Sequence, residues 1–212
     1  MIIKALPSGP FETNAYVVSC EETKSALIID PAPSSSSSII KYLAENNLKP
    51  EKIVLTHSHW DHIAETAYLK KYYQIPVFIH KDDLENLETP GTDGLPCWIT
   101  IEGVKPDAFL KEGDEVIIGS FKFIVIHTPG HTPGGICLYE EKEKILISGD
   151  TLFKGSIGNI SFPTARPKLM WESLKKLAKL PPETIVFPGH GPKTTILLES
   201  WLPNAEKIFG NS

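Results

Sequence analysis

The sequence predicts an α/β fold in which two β-sheets stack face to face and helices cover both outer faces, a four-layer αββα sandwich. Short β-rich runs alternate with amphipathic helical runs, and the second half repeats the order of the first: strands, then a helix, then a strand. A length of 212 residues suits one buried core. We therefore expect a single domain over residues 1–212, built from two similar halves at about 1–105 and 106–212.

The first half contains several runs rich in β-branched and aromatic residues, bounded by turn residues. A serine run can cap a helix at IIKYLAENN, where Ile39, Ile40 and Leu43 have helical spacing, and a second helix is predicted at residues 63–73. Strands are predicted at residues 2–6, 14–20, 25–30, 52–56 and 76–80.

The second half begins with β-rich runs after the irregular stretch TPGTDGLPCWITIEGVKP. Strands are predicted at EVIIG, FKFIVIH, GGICLYE, KILISGD and TIVFPGH, with a helix at PKLMWESLKKLAKL before the last of them. Cys97 and Trp98 lie in the irregular stretch, where they either line a substrate groove or form a buried anchoring pair.

Composition excludes several functional classes. A formal net charge of −5, without a dense run of Lys and Arg, argues against a nucleic-acid partner. The three cysteines are widely spaced and form no CxxC pair, which favours a reducing compartment. No signal peptide or stretch of about 18 apolar residues is visible, so we expect no membrane partner and a cytoplasmic location.

The segment THSHWDH contains three of the seven histidines and joins a predicted strand to a predicted helix. In an extended chain, His57 and His59 project to the same side and can bind one metal ion. Asp61 and His62 follow where the helix begins, so their side chains turn towards a second ion. The other explanation, a polar surface turn, is disfavoured by this crowding of histidines.

Further ligands are predicted at three other strand ends. In HTPGHTPGG, His131 lies in a loop held by two Thr-Pro-Gly turns, whereas His127 shares the packed face of its strand and is at most an outer-shell residue. Asp150 ends a strand and can bridge two cations with its two carboxylate oxygens. His190 lies between glycines that allow close approach of the backbone.

These residues predict two metal sites that share one carboxylate. The first site takes His57, His59 and His131, the second takes Asp61, His62 and His190, and Asp150 bridges them with room for a water. A set of nitrogen and oxygen donors suits Zn²⁺, with Fe or Mn²⁺ as alternatives. His80 is expected to be structural and Asp30 to form a turn.

THSHWDH, HTPGHTPG, SGDTLF and FPGHG, in this order and spacing, resemble the metallo-β-lactamase superfamily almost from end to end. SGDTLFKGSIG and GHGPKTTILLE look most like its glyoxalase II (hydroxyacylglutathione hydrolase) branch, here without that branch's C-terminal helical domain. The loop at residues 158–161 also departs from the Gly-Arg-x-Asp of related bacterial enzymes. The seven predicted ligands all match the ligand motifs of the family.

The resemblance implies an αββα fold of the metallo-β-lactamase type, two divalent metal ions, and hydrolysis of a small-molecule thioester of the S-lactoylglutathione type. A hydroxide that bridges both metals attacks the carbonyl carbon, and Asp61 is the expected catalytic residue because it can orient that hydroxide. Two alternatives stay open. One is a persulfide dioxygenase with a single iron on His57, His131 and Asp150, and the other is a noncatalytic metal-binding module.

Overall fold

The structure is a computed structural model that describes residues 1–210. Two six-stranded sheets form its centre, and their strands follow one another in chain order across each sheet. The first sheet consists of β1 (Ile2–Ser8), β2 (Thr13–Ser19), β3 (Ser25–Ile29), β4 (Lys49–Val54), β5 (Val77–His80) and β6 (Ala108–Leu110). The second consists of β7 (Glu115–Ile118), β8 (Phe121–His127), β9 (Ile136–Glu140), β10 (Ile145–Gly149), β11 (Ile185–Pro188) and β12 (Thr194–Thr195).

Helices lie between successive strands of both sheets, and the last helix follows β12. In the first part of the chain these are α1 (Ser36–Glu45), α2 (Trp60–Ile63), α3 (Thr66–Tyr73) and α4 (Leu84–Glu88). In the second part they are α5 (Pro167–Leu177) and α6 (Ala205–Phe209). Within residues 1–210, none of the helices has both the length and the apolar character needed to cross a bilayer.

Three apolar clusters show how the layers stack. The central cluster joins the facing sides of the two sheets, for example Val18 and Ile29 of the first sheet with Phe123 and Leu138 of the second. A second cluster packs helices α1, α3 and α4 on the outer side of the first sheet. The third packs α5 and α6 on the outer side of the second. The predicted four-layer αββα sandwich is therefore confirmed.

The predicted helix at 63–73 differs from the structure at its start. The chain turns into α2 at Trp60, directly after His59, and a short break separates α2 from α3. The short strands β6 and β12 have no counterpart in the predicted elements, because runs of two or three residues carry no periodic signal. The division of the domain into two similar halves stays a prediction.

The two sheets are joined by backbone hydrogen bonds at one edge. Ile136 N donates to Thr56 O over 2.9 Å, and Asn14 N donates to Gly189 O over 2.7 Å. Strands β4, β10 and β11 all end at this edge, and β10 runs parallel to β11. The segments that follow these strands therefore meet in one crevice, as expected for the carboxyl ends of parallel strands.

Candidate metal centre

All seven predicted ligands lie together at this edge. Two of them follow β4, two lie in α2, one lies in the β8–β9 loop, and one follows each of β10 and β11. All are buried except His190, whose side chain is 25% exposed. The set comprises His57, His59, Asp61, His62, His131, Asp150 and His190.

The first cluster contains His57, His59 and His131, with one nitrogen of each within 4.8 Å of the others. His59 Nδ1 lies 2.8 Å from His131 Nε2. The rings of His57 and His59 are nearly perpendicular, at 84°, so their nitrogens converge from different directions. Such convergence of three imidazoles is the arrangement that a tetrahedral metal site requires.

The second cluster contains Asp61, His62 and His190, again with donor atoms within 4.8 Å of one another. His190 Nε2 lies 3.3 Å from His62 Nε2 and 3.3 Å from Asp61 Oδ2. Thr13 Oγ1 donates a hydrogen bond of 2.7 Å to Asp61 Oδ2 and so fixes the carboxylate. This grouping is the one that the sequence predicts for the second site.

Asp150 lies between the two clusters. Its Oδ2 is 3.4 Å from His131 Nε2 of the first cluster and 3.4 Å from His190 Nε2 of the second. Its Oδ1 is 3.3 Å from His62 Nε2. A single carboxylate therefore reaches donor atoms of both clusters, which is the position of a bridging ligand.

Two imidazoles are oriented by backbone carbonyls. His131 Nδ1 donates to Asn159 O over 2.8 Å, and His190 Nδ1 donates to Phe11 O over 3.0 Å. In the neutral imidazoles these bonds place the proton on Nδ1 and leave the Nε2 lone pair facing the cluster. Outer partners of this kind are typical of metal-ligating histidines.

Asp30 orients two further imidazoles and is more than the turn residue predicted from IIDPAP. Its Oδ2 accepts from His62 Nδ1 over 3.0 Å and from Thr56 Oγ1 over 2.6 Å, while its Oδ1 accepts from Thr56 N over 2.7 Å. Because the Thr56 hydroxyl donates to Asp30, its oxygen accepts from His57 Nδ1 at 3.1 Å. An aspartate directly after a buried strand, as at Asp150, is the signal that could have identified it.

Asp83 is another buried carboxylate that the sequence analysis missed. Its Oδ2 accepts from Ser58 N over 2.9 Å and from Thr132 Oγ1 over 2.8 Å, and its Oδ1 accepts from Gly134 N over 2.6 Å. It thus ties the loop of His57 and His59 to the loop of His131. No sequence pattern distinguishes Asp83 from the acidic residues Asp82 and Glu85 on either side of it.

The residues fit metal ions on three grounds. His57 Nε2, His59 Nε2 and Asp150 Oδ1 are buried without a hydrogen-bond partner, and an unpaired buried polar atom is costly. The donors are all nitrogen and oxygen. A Cβ at Gly189 would lie 2.1 Å from Asp150 Oδ1, so only glycine allows the backbone this close.

Burial and neighbouring imidazoles favour neutral histidines in the first cluster. Burial lowers the pKa of His57 well below its usual range, and nearby His62 adds to the effect. Burial and His131 together lower the pKa of His59 to about 3. Neutral imidazole is the form that binds a metal, so this cluster needs to release no proton on binding.

The carboxylates of Asp61 and Asp150 set the charge at the second cluster. Burial alone would raise the pKa of Asp61, but His62 and the hydrogen bond from His190 outweigh it and lower the pKa to about 2. For His190, burial opposes protonation, but hydrogen bonds to Asp150 and Asp61 raise its pKa to about 9. Cation binding at this cluster is therefore coupled to loss of a proton from His190.

The remaining two histidines form a separate stacked pair. The rings of His80 and His127 lie 4.0 Å apart and nearly parallel, at 13°. His127 Nε2 donates to Pro133 O over 3.1 Å, and His80 Nδ1 accepts from Asp82 N over 3.2 Å. Parallel rings at this separation cannot both hold one ion in their ring planes, so the pair is suited to packing.

A cavity of about 510 Å³ opens directly above the two clusters. His59, Asp61 and His190 form part of its floor, and aromatic residues form much of its wall. Trp98 lines this cavity and is 70% exposed, so it is not a buried anchor. Of the two alternatives, the substrate groove agrees with the structure for Trp98, whereas Cys97 is not among the residues that line this cavity.

The comparison with known proteins decides the family. The profile of the metallo-β-lactamase superfamily matches residues 8–190. The chain belongs to the metallo-β-lactamase superfamily. Hydroxyacylglutathione hydrolase GloC of Haemophilus influenzae is 34% identical to this superfamily member over 203 residues, which are 92% of this chain and 93% of GloC.

Two crystal structures superpose closely on this one. BLEG-1 B3 metallo-β-lactamase has a TM-score of 0.84 at 39% identity, and the match covers 93% of this chain and 96% of that chain. TTHA1623 in a di-iron-bound form has a TM-score of 0.81 at 37% identity, with the same coverage. Membership in this superfamily of metallo-hydrolases supports a hydrolase-type enzyme that uses divalent metal ions. The fold does not select which metal is bound.

Proposed function

We propose that the protein is a thioester hydrolase that requires two divalent metal ions and acts on S-2-hydroxyacylglutathione-type substrates such as S-lactoylglutathione. The observation that carries the proposal is the position of Asp150 between two clusters of three donors, beneath an open cavity. Similarity to a hydroxyacylglutathione hydrolase supports the substrate class and a glutathione-linked small molecule as the partner.

The chain offers four protein ligands to each ion. His57, His59 and His131 would hold the first, and Asp61, His62 and His190 the second, with the carboxylate of Asp150 shared by both. When bound, such ions act as Lewis acids and lower the pKa of water enough to supply hydroxide at neutral pH. Zn²⁺ is the proposed metal, with Fe or Mn²⁺ as alternatives that the same donors accept.

Asp61 is the proposed catalytic residue. Its Oδ2 is held by Thr13 at 2.7 Å, and the carboxylate also lines the cavity, where it can accept a hydrogen bond from the attacking water and orient it. Its pKa of about 2 keeps it ionised at neutral pH. The water oxygen adds to the carbonyl carbon, and the carbon–sulfur bond breaks when the tetrahedral intermediate collapses. The acyl group is released as a carboxylic acid, and the sulfur leaves as a thiolate that takes up the proton lost by the water.

The leaving group needs no dedicated acid. A thiol has a pKa of about 8.5, so it can leave as thiolate near neutral pH. Among residues 1–210, the cavity lining contains no lysine, tyrosine or cysteine that could donate a proton to it. A site that binds an anionic transition state but lacks such a donor favours thioesters over amides.

The test pairs metal analysis with hydrolysis of S-lactoylglutathione by the wild type and Asp61→Ala. We expect two metal ions per wild-type chain and a loss of kcat/KM of roughly 100-fold or more in the variant. Asp107→Ala is the matched control, because Asp107 is an exposed carboxylate paired with Lys70 far from the site. One metal per chain with unchanged hydrolysis in Asp61→Ala would refute the binuclear proposal.

β-Lactam hydrolysis is a second candidate, favoured by the 39% identity to BLEG-1. Hydrolysis of a chromogenic cephalosporin by the same metal-loaded protein, at a kcat/KM above that for S-lactoylglutathione, would favour it. A persulfide dioxygenase with one iron would leave the cluster of Asp61, His62 and His190 without a role. Oxygen consumption with glutathione persulfide distinguishes that alternative.

The cytoplasm is the proposed location. Its support is the state of the cysteines: Cys20 and Cys137 are buried, and neither they nor Cys97 form a disulfide. A reducing compartment matches three unpaired thiols.

A further inference from the structure

Aromatic side chains dominate the wall of the cavity above the metal centre. Apart from the site residues, the described part of its lining contains a single polar side chain, Asn159, and otherwise apolar groups that include Leu95 and Pro96. The five aromatic residues of this lining are Phe11, Trp60, Trp98, Phe153 and Phe162.

Three of these rings form one continuous wall. Trp60 lies 5.4 Å from Phe11 and 5.7 Å from Trp98, measured between ring centroids, and Phe11 lies 6.1 Å from Trp98. The contacts are edge-to-face or tilted, as aromatic rings prefer. Trp60 is the spacer residue inside THSHWDH, so the metal-binding segment also supplies the base of this wall.

The other two rings contact the imidazoles themselves. Phe162 is 5.5 Å from His59 in the first cluster, and Phe153 is 5.8 Å from His190 in the second. A substrate carbonyl between the clusters is therefore surrounded by aromatic surface on both sides. Groups attached to that carbonyl therefore face these rings.

The mouth of the cavity exposes apolar surface that the fold itself does not need. Trp98 is 70% and Phe11 is 49% exposed, although both belong to the ring wall. Large aromatic groups exposed beside a concave site are typical of surfaces that bind a ligand. Their exposure therefore indicates a ligand with an apolar group.

Above the metal centre and His190, the wall of the cavity offers no cation to an anionic group. None of the lining residues within 1–210 is a lysine or arginine, while Asp61 and Asp150 lie at the cavity floor. The sole arginine of the sequence, Arg166, lines a separate polar cavity and donates to the carbonyl of Thr164 over 2.9 Å. A carboxylate placed against the aromatic wall, away from the metal centre, would be desolvated without a partner, which is strongly unfavourable.

We propose that this cavity is an acyl-binding pocket that selects thioesters whose acyl group carries an apolar, preferably aromatic, substituent. The inference rests on the proposed thioester hydrolysis and specifies its substrate. A lactoyl methyl group occupies little of 510 Å³, whereas a phenyl ring can contact the Phe11, Trp60 and Trp98 wall. The anionic ends of a glutathione thiol then lie outside the aromatic cavity.

The experiment compares S-lactoylglutathione with S-mandeloylglutathione. The two differ only in methyl against phenyl on the same 2-hydroxyacyl group, so the thiol and the reacting bond are matched. We expect kcat/KM to be about 10- to 100-fold higher for the mandeloyl thioester, from the added apolar area that is buried. Calorimetry provides a readout without turnover, in which the metal-loaded protein binds mandelate more tightly than lactate.

Variants of the aromatic wall test whether Trp98 causes the preference for the mandeloyl thioester. Trp98→Ala should reduce the mandeloyl-to-lactoyl ratio of kcat/KM by about tenfold, and Trp98→Phe should retain most of it. Since Trp98 is largely exposed, its replacement is not expected to unfold the chain. Tyr72→Ala is the control, because Tyr72 is a 55% exposed aromatic residue outside the cavity and its loss should leave the ratio unchanged.

Each outcome has one meaning. If neither thioester is hydrolysed, the proposed function fails. If both are hydrolysed and the lactoyl compound is as good or better, the pocket inference is overturned while the function stands. A third compound, the lactoyl thioester of benzyl mercaptan, tests the direction of binding. If kcat/KM rises more for this compound than for S-mandeloylglutathione, each relative to S-lactoylglutathione, the cavity binds the thiol side and the acyl assignment is overturned.

Discussion

Replacement of Asp30 by asparagine tests how the fold holds the second cluster ready for a metal. The carboxylate accepts hydrogen bonds from Thr56 N, Thr56 Oγ1 and His62 Nδ1, at 2.7, 2.6 and 3.0 Å. The substituted amide would keep the shape of the side chain and could still accept from Thr56 N through its oxygen. Its NH₂ group, however, would face the nitrogen of His62 that donates in the wild type.

The consequence is a change of tautomer. To accept from the new NH₂ group, His62 must carry its proton on Nε2, the nitrogen that lies 3.3 Å from both Asp150 and His190. A protonated Nε2 cannot bind a metal, so binding must break the new hydrogen bond. A hydrogen bond to a charged group contributes about 1.5–3 kcal/mol, and loss of such an outer partner typically weakens metal affinity about 10- to 100-fold.

The assay is competition for Zn²⁺ with a chromogenic chelator, which measures both binding steps separately. We expect the weaker step to lose about 10- to 100-fold in affinity in Asp30→Asn, while far-UV circular dichroism shows a folded chain. Asp107→Asn is the control, because that carboxylate also accepts a backbone hydrogen bond, from Val77 N, but is exposed. Zn²⁺ affinities equal to the wild type within a factor of about two would refute the tautomer reasoning.

Three further predictions follow from packing and charge. Gly189→Ala should abolish tight Zn²⁺ binding, because the new Cβ would lie 2.1 Å from the Asp150 carboxylate. Gly191→Ala, with nothing within 4 Å of the new Cβ, should show only the strain of its positive φ in thermal unfolding. In chelator-treated protein, His190 has a pKa raised from 6.5 to about 9. Its contribution to the free energy of unfolding is therefore present below pH 6.5 and lost as pH rises through 9. Denaturant titrations at these pH values should show that the free energy of unfolding depends less on pH in His190→Gln than in the wild type. Phe123→Ala should lower that free energy by about 3–5 kcal/mol, because Phe123 is fully buried, while Phe109→Ala at a 47% exposed position should change it by less than about 1 kcal/mol.

The aromatic cavity and the metal clusters are not independent features. Trp60 begins α2 between His59 and Asp61, so the turn that separates the ligands of the two clusters also places an indole ring against the cavity. Phe162 contacts His59 from the segment that follows Asn159, whose carbonyl oxygen orients His131. Binding of an apolar acyl group is therefore expected to exclude water next to the ligands.

The sequence by itself predicted the candidate ligand set and the layers of the fold. A ligand motif is local: in THSHWDH the residue spacing decides which side chains share one side of the chain, before any tertiary contact forms. The same holds for strand periodicity, which predicted the two sheets. The sequence also indicates that glycine is needed beside His190. It does not indicate that Asp150 is the group that lies against this glycine.

Only the tertiary structure decided which distant groups support these ligands. Three residues from other parts of the chain contact the site: Thr13 at the start of β2, Asp30 after β3 and Asp83 before α4. Their contacts depend on how the two sheets meet at Thr56 and Gly189. The cavity likewise combines rings from five separated positions. Hydrogen bonds and ring contacts between such segments depend on distances of a few ångströms, which packing sets and residue spacing along the chain does not encode.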